Sequence, residues 1–261
     1  MVNSLSDFSM DYFSLHGKVA MVTGGNKGIG QAISVALAKA GADLCIVVHS
    51  EKDLDETRKL IEKERRRVEF IQADLEEKTD VIKVIEESKK LFGKIDILVN
   101  NAGTIKRNSL FEYTDEDWQF VLDVNLNSVY YLSKEIAKTM VKNRHGKIIN
   151  IASMLSFQGG KYVPAYTASK HAVAGLTKSF ANELAEFGVN VNAIAPGYIK
   201  TANTEELTLN ASRNSEILSR IPAGRWGEPF DLMGAVIFLA SRASDYMDGH
   251  ILAVDGGWLA R

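Results

Sequence analysis

A chain of 261 residues, 46% hydrophobic and 25% charged, is long enough to bury most of its apolar surface in one large domain. Its formal net charge of −2 argues against a nucleic-acid partner, and no stretch offers the ~18 consecutive apolar residues of a membrane span. The single cysteine, Cys45, lies in an apolar run, and the opening stretch MVNSLSDFSMDYFSLHG has neither a basic start nor an unbroken apolar segment, so a cytoplasmic protein without disulfides is expected.

Residues 1–16 read as an N-terminal extension. From Lys18 onward, β-rich runs alternate with amphipathic stretches of helical length. Strands are predicted at Val19–Val22, Leu44–Val48, Val68–Ala73, Ile95–Val99, Lys147–Ile151, Val189–Ile194 and Ile251–Val254. Most are continuously apolar, as strands covered on both faces must be. Helices are predicted over 28–40, 53–66, 78–92, 115–140, 166–187 and 228–241, the run EKERRR at 62–67 being a solvated helix end. This alternation predicts a single α/β domain, residues 1–261, with a doubly wound seven-stranded parallel sheet and helices on both faces. Residues 198–227 hold no clear strand and are long for a connection, which marks a binding segment inserted near the end of the sheet.

The first strand runs into TGGNKGIG, residues 23–30, and then directly into a helix. Gly24, Gly28 and Gly30 allow a sharp turn and close backbone approach to a pyrophosphate at the helix N-terminus; the alternative is a tight turn with no ligand. ADL at 73–75 and NNAG at 100–103 end the third and fourth strands, at the sheet edge where ligands of open parallel sheets lie. Read alone, Asp74 is equally a helix cap, and Asn100 and Asn101 are turn formers. Ser153 ends the fifth strand, and Asn125 sits mid-helix, where asparagine is a poor helix former. In YTASK, Tyr166 and Lys170 stand four residues apart on one helical face, as a solvated pair or as a phenol and an ammonium turned into a pocket.

In their order and spacing TGGNKGIG, NNAG, Asn125, Ser153, YTASK and PGYIKT at 196–201 resemble the short-chain dehydrogenase/reductase family, and the likeness runs from Leu15 to the C-terminus. The resemblance implies a Rossmann fold and a catalytic tetrad of Asn125, Ser153, Tyr166 and Lys170. It implies a nicotinamide dinucleotide held by Gly24, Asn26, Lys27, Gly28, Ile29 and Gly30, with His49 at the end of the second strand. Asp74 and Leu75 would meet the adenine, and Asn101, Ala102 and Gly103 would pack against the coenzyme. Tyr166 and Lys170 would also touch it, and Pro196, Gly197, Ile199 and Thr201 would border the nicotinamide. An ammonium within ~4 to 6 Å favours a phenolate by roughly 1 to 3 units, so Lys170 is expected to lower the pKa of Tyr166. Tyr166 would then move the proton of the reacting oxygen while Ser153 holds that oxygen.

Rival chemistries lack their residues. No G-x-S-x-G turn surrounds Ser153, and the five histidines, His16, His49, His145, His171 and His250, are scattered, so no metal is expected. A dinucleotide-sensing protein without chemistry is the rival from another class. The segments GKIINIASMLSFQGG and RIPAGRWGEPFDLMGAVIFLAS resemble members of the family that act on keto-sugar acids, with gluconate-type acids the nearest alternative substrates. A reductase of carrier-bound acyl chains fits less well, because ANELAEFG is acidic where an acidic carrier would need base. The substrate carboxylate is assigned to Lys106 and Arg107, with Ser153 and Tyr166 at the reacting carbon; a solvated basic pair is the alternative. The second strand ends IVVHS, without the carboxylate that selects NAD, and Lys27 is basic; NAD is favoured with NADP tolerated, following the sugar-acid branch. The family implies a homotetramer built partly on the helix of Tyr166, where Ala172, Ala174 and Gly175 permit close approach, although packing on its own sheet explains them equally. The terminal GGWLAR is then a candidate subunit contact.

Overall fold

The seven apolar runs become the strands of one sheet: β1 Val19–Thr23, β2 Asp43–Val48, β3 Val68–Gln72, β4 Ile97–Asn100, β5 Gly146–Ile151, β6 Val189–Pro196 and β7 Ile251–Val254. The computed structural model describes residues 7–52 and 54–261. Residues 1–6 of the expected extension, and position 53 where the second helix is predicted to begin, lie outside the described residues, as does the side chain of Asn203. The strand order is β3-β2-β1-β4-β5-β6-β7, and every neighbouring pair is parallel. The chain winds outward from β1 to β3, then crosses to β4 and winds the other way. The reversal opens a crevice at the carboxyl ends of β1 and β4, where Val22 pairs with both Ile46 and Val99.

Successive strand residues point to opposite faces, and both faces are covered. On one side Val22, Ile46 and Val99 pack with Ile33 and Leu37 of α1 (Gly28–Lys39) and Leu239 of α9 (Met233–Ala240). On the other, Met21, Val47 and Leu98 pack with Val84 of α3 (Lys78–Phe92) and with Leu132 and Met140 of α5 (Ser128–Asn143). Cys45 belongs to this second layer, and burial pushes its thiol up to about 12, which makes it a small inert hydrophobe.

Four helices differ from the sequence expectation by more than a residue, among them the one expected over 228–241, which is a 3-10 turn at Pro229–Leu232 followed by α9. Helix α2 (Leu54–Lys63) stops short of 66 because Arg65 adopts a left-handed φ of 57° and turns the chain into β3. There Arg67 covers the ring of Phe92 at 4.5 Å and pairs with Glu69 at 3.1 Å. The long helix expected over 115–140 is two helices, α4 (Asp115–Leu122) and α5, joined by a π turn at Asp123–Asn127 with Asn125 at its centre. Helix α6 (Pro164–Leu184) starts two residues earlier than 166, with Pro164 at its first position, where a missing N–H costs nothing.

The connection 198–227 carries two helices, α7 (Glu205–Leu209) and α8 (Ala211–Arg220), and only one isolated bridge, between Ile199 and Gly227. Ile217 and Ile221 pack with Trp226, Trp258 and Met154, the residue after Ser153. The connection is thereby sealed onto the end of β5.

Candidate active site

The turn from β1 into α1 is fixed from beneath. Thr23 Oγ1 accepts from the N–H groups of Asn101 and Ala102 at 2.9 Å each, and Asn101 Nδ2 donates to the carbonyls of Thr23 at 2.8 Å and Gly24 at 3.1 Å. Gly24 and Gly28 have φ of 63° and 54°, and a Cβ at Gly30 would lie 2.0 Å from the Gly24 carbonyl oxygen. The backbone of the turn therefore comes as close to the helix as glycine alone permits. No side chain caps the first turn of α1, and that turn holds no acid, so its N–H groups are free to meet an anion. A Cβ at Gly28 would stand 3.6 Å from Thr201 Cγ2, so Thr201 faces the turn across a narrow gap. Gly103 likewise leaves room beside Asn125 and Lys170, where a Cβ would lie 3.4 Å from Asn125 Oδ1 and 3.8 Å from Lys170 Nζ. A glycine turn under a helix end, and a second glycine facing the polar cluster, fit a dinucleotide stretched across the carboxyl edge.

Four expected side chains converge beyond Gly103. Asn125 is buried: its Oδ1 accepts from the Thr104 N–H at 2.8 Å, and its Nδ2 donates to the Thr104 carbonyl at 2.9 Å and to Ser169 Oγ at 3.2 Å. Ser169 Oγ in turn donates to the Tyr166 carbonyl at 2.8 Å, tying the π turn to α6. Ser153 caps the short helical turn Met154–Ser156, accepting at Oγ from the Leu155 N–H at 3.1 Å, which leaves its own O–H to donate. Lys170 Nζ gives one hydrogen bond, 2.6 Å to the Ile151 carbonyl, and lies 5.6 Å from the centre of the Tyr166 ring. Two of its three donors remain uncommitted.

Burial pushes the Tyr166 phenol up; a hydrogen bond with Ser153 and the charge of Arg107 pull it back down. Burial alone brings Lys170 down to about 8. Lys170 is bonded to a carbonyl with its ammonium 5.6 Å from the centre of the Tyr166 ring, and the groups that pull the phenol down in this arrangement are Ser153 and Arg107. The two basic residues after NNAG also separate. Lys106 pairs with Asp117 at 3.2 Å and sits 5.3 Å from the centre of the Phe120 ring, whereas Arg107 is exposed and has no ion pair among the described residues. The charge of Arg107 acts on both Tyr166 and Tyr198.

The model of the family described as enoyl-(acyl carrier protein) reductase, of the short-chain dehydrogenase type, matches residues 24–259. The chain belongs to the short-chain dehydrogenase/reductase family. It is 58% identical to the 2-dehydro-3-deoxy-D-gluconate 5-dehydrogenase of Bacillus subtilis (strain 168) over 253 residues, 96% of this chain and 98% of that one. A solved structure from Agrobacterium tumefaciens, a candidate 2-deoxy-D-gluconate 3-dehydrogenase with bound NADP, is 50% identical and superposes with a TM-score of 0.89 over 95% of this chain and 99% of that one. A gluconate 5-dehydrogenase from Burkholderia cenocepacia J2315 in complex with NADP and tartrate is 37% identical, with a TM-score of 0.91 over 96% of this chain and 98% of that one. The protein is an NAD(P)-dependent oxidoreductase of this short-chain family.

The remaining expected residues lie along the same edge with unequal freedom. Asn26, Lys27 and Ile29 belong to the glycine turn; Lys27 is exposed, and the Asn26 carbonyl accepts from Thr57 Oγ1 at 3.0 Å. His49 Nε2, at the end of β2, is 3.6 Å from Asp74 Oδ2, at the end of β3. Leu75 packs into the core, and the side chain of Asn101 is committed to the turn, so each has its backbone rather than its side chain to offer a ligand. Pro196 ends β6, Gly197 crosses Asp255 so closely that a Cβ would lie 2.6 Å from its Cα, and Ile199 is buried. Thr104, Ser156 and Ser169 are site residues that sequence reasoning missed. Ser169 lies inside YTASK, and Ser156 stands three positions after Ser153, the spacing of a capping box, which was the available signal.

Proposed function

We propose that the protein interconverts a secondary alcohol and a ketone on a keto-sugar acid, with 2-dehydro-3-deoxy-D-gluconate, reacting at C5, as its substrate; gluconate-type acids are the alternative. The observation that carries this is the convergence of Ser153, Tyr166 and Lys170, each with a proton donor uncommitted to the fold, at the Gly103 end of the crevice. A bound nicotinamide coenzyme supplies or accepts the hydride. Tyr166 Oη gives the reacting oxygen its proton in reduction and takes it in oxidation, and the Ser153 O–H donates to that oxygen as charge develops on it. Lys170 uses its two remaining donors to hold the coenzyme ribose. Asn125, locked on both sides, keeps the π turn in place, where the longer i→i+5 register leaves a carbonyl for a water that returns the proton. Residues 198–227 close over the substrate, and Arg107, rather than the paired Lys106, takes its carboxylate.

NAD is proposed as the main coenzyme, with NADP accepted. Asp74 lies beside His49 and brings a carboxylate close to the adenosine end, while Lys27 is available to a 2′-phosphate; the NADP bound to solved relatives supports tolerance. A homotetramer is also proposed, because Gly175 on α6 faces open space, whereas Ala174 is used on the chain's own core.

The test is a panel of keto-sugar acids and neutral ketones, each with NADH and NADPH. Turnover of the acids, with KM raised for acids but not for neutral ketones in Arg107→Ala, is the expected result. Neutral ketones preferred by the parent would sink the substrate assignment, and a clear preference for NADPH would overturn the coenzyme choice. Lys27→Ala should lower kcat/KM for NADPH and hardly alter NADH.

A further inference from the structure

Ser156 is buried, yet its hydroxyl touches neither the glycine turn nor the reacting groups directly. Its Oγ accepts from the Ser153 N–H at 3.3 Å and donates to the Lys170 carbonyl at 2.7 Å. Both directions are unambiguous, because an N–H can only donate and a carbonyl can only accept. The Ser156 N–H also donates to the Ser153 carbonyl at 2.9 Å. Lys170 meanwhile reaches back to the Ile151 carbonyl with its ammonium. The end of β5 and the second turn of α6 are thus joined twice at one lysine, once through its side chain and once through its backbone, and Ser156 supplies the backbone link. Without it the Ser153 N–H loses its acceptor, and the turn 154–156 loses its hydrogen bond to the backbone of the helix that carries Tyr166.

We propose that Ser156 is a positioning residue for the oxidation and reduction: by bridging Ser153 to Lys170 it holds the Ser153 hydroxyl in register with the Tyr166 phenol. The inference rests on the reading of Ser153 and Tyr166 as the pair that handles the reacting oxygen. The groups that face the phenol are Ser153 from the end of β5, Lys170 from its own helix and Arg107 from the loop after β4. Ser156 is bonded to the backbone of the first two, but Lys170 is also held by its own helix and by its ammonium on the Ile151 carbonyl, so Ser153 is the one whose alignment rests most on Ser156.

Removing the hydroxyl frees Ser153 to turn away, and the phenol then loses the hydrogen bond that pulls its pKa down. Ser156→Ala and Ser156→Gly are expected to lower kcat at least roughly tenfold, to leave coenzyme affinity by fluorescence titration unchanged, and to move the acid limb of the kcat profile for alcohol oxidation to higher pH. Ser156→Thr, which keeps the hydroxyl, is expected to restore the parent pH profile. A fall in kcat with an unmoved pH profile in the Ala and Gly variants would make Ser156 a packing residue only, and parent-like kcat would remove any role. Tyr166→Phe separates the two levels: if it stays active, the reading of the pair fails; if it is inactive while Ser156→Ala is parent-like, only the positioning role fails.

Discussion

The two edges of the sheet each bury a lysine, and they treat it in opposite ways. At the amino edge Lys147, 2% exposed, donates to Asn190 Oδ1 at 2.7 Å, to Ser244 Oγ at 3.3 Å and to Asp245 Oδ1 at 2.8 Å, so all three donors are used. At the carboxyl edge Lys170, 5% exposed, has one carbonyl and no ion pair among the described residues. Burial lowers both lysines, but at Lys147 the hydrogen bond and charge of Asp245 push back, and at Lys170 nothing opposes it. A buried polar group that is fully satisfied holds structure together; one left with donors and no counter-charge is held ready for a ligand.

Exchanging each lysine for methionine breaks that contrast most directly. Lys170→Met is expected to cut kcat by roughly 10²-fold, the cost of a misplaced reacting group, while thermal stability stays level or rises, since a charge poorly compensated in the interior is gone. Steady-state kinetics beside a melting curve reads both. If Lys170→Met instead melts early with its kinetics intact, the lysine is structural and the contrast is wrong.

Lys147→Met should do the reverse, with a smaller effect. It strands the buried Asn190 Oδ1 and releases Asp245, whose side chain is 58% exposed and re-solvates easily. The cost is then about 1 to 3 kcal/mol, that of an unsatisfied buried acceptor rather than of a broken interior ion pair. Urea unfolding measures it, and kcat should remain within a few-fold of the parent.

How far the sequence speaks depends on the range of the interactions. The strands were legible because covering on both faces leaves a continuous apolar run, and the glycine turn because positive φ restricts the residue. The four residues of the expected tetrad were picked out through a family likeness, and the structure places their side chains near one another. Long-range commitments were not legible. Lys147 opens an apolar strand, and its Asp245 partner is 98 residues on. Lys106 and Arg107 are adjacent letters that only Asp117 divides, and the π turn, beside its local Asn127–Asp123 bond at 2.6 Å, depends on Asn125 reaching Ser169 across to another helix. The start of α6 was readable after all, from the proline two residues before Tyr166.

The smallest effect sharpens the amino edge itself. Lys18 Nζ lies 2.8 Å from His145 Nε2, so the imidazole must be neutral there, accepting at Nε2. Burial first, and then the Lys18 charge, hold its pKa below the ordinary 6.5, with Asp96 opposing. A group whose folded pKa is depressed adds stability above its unfolded value and loses it as the pH falls through the folded one. The folded state should therefore be at full strength above about pH 6.5 and weaken below it, before most carboxylates titrate. His145→Gln keeps an acceptor for Lys18 but cannot take a proton, so its melting temperature should fall less than that of the parent between pH 7.5 and pH 5.5. Equal slopes for the two proteins would assign the acid sensitivity to other groups and leave the Lys18 contact an ordinary surface hydrogen bond.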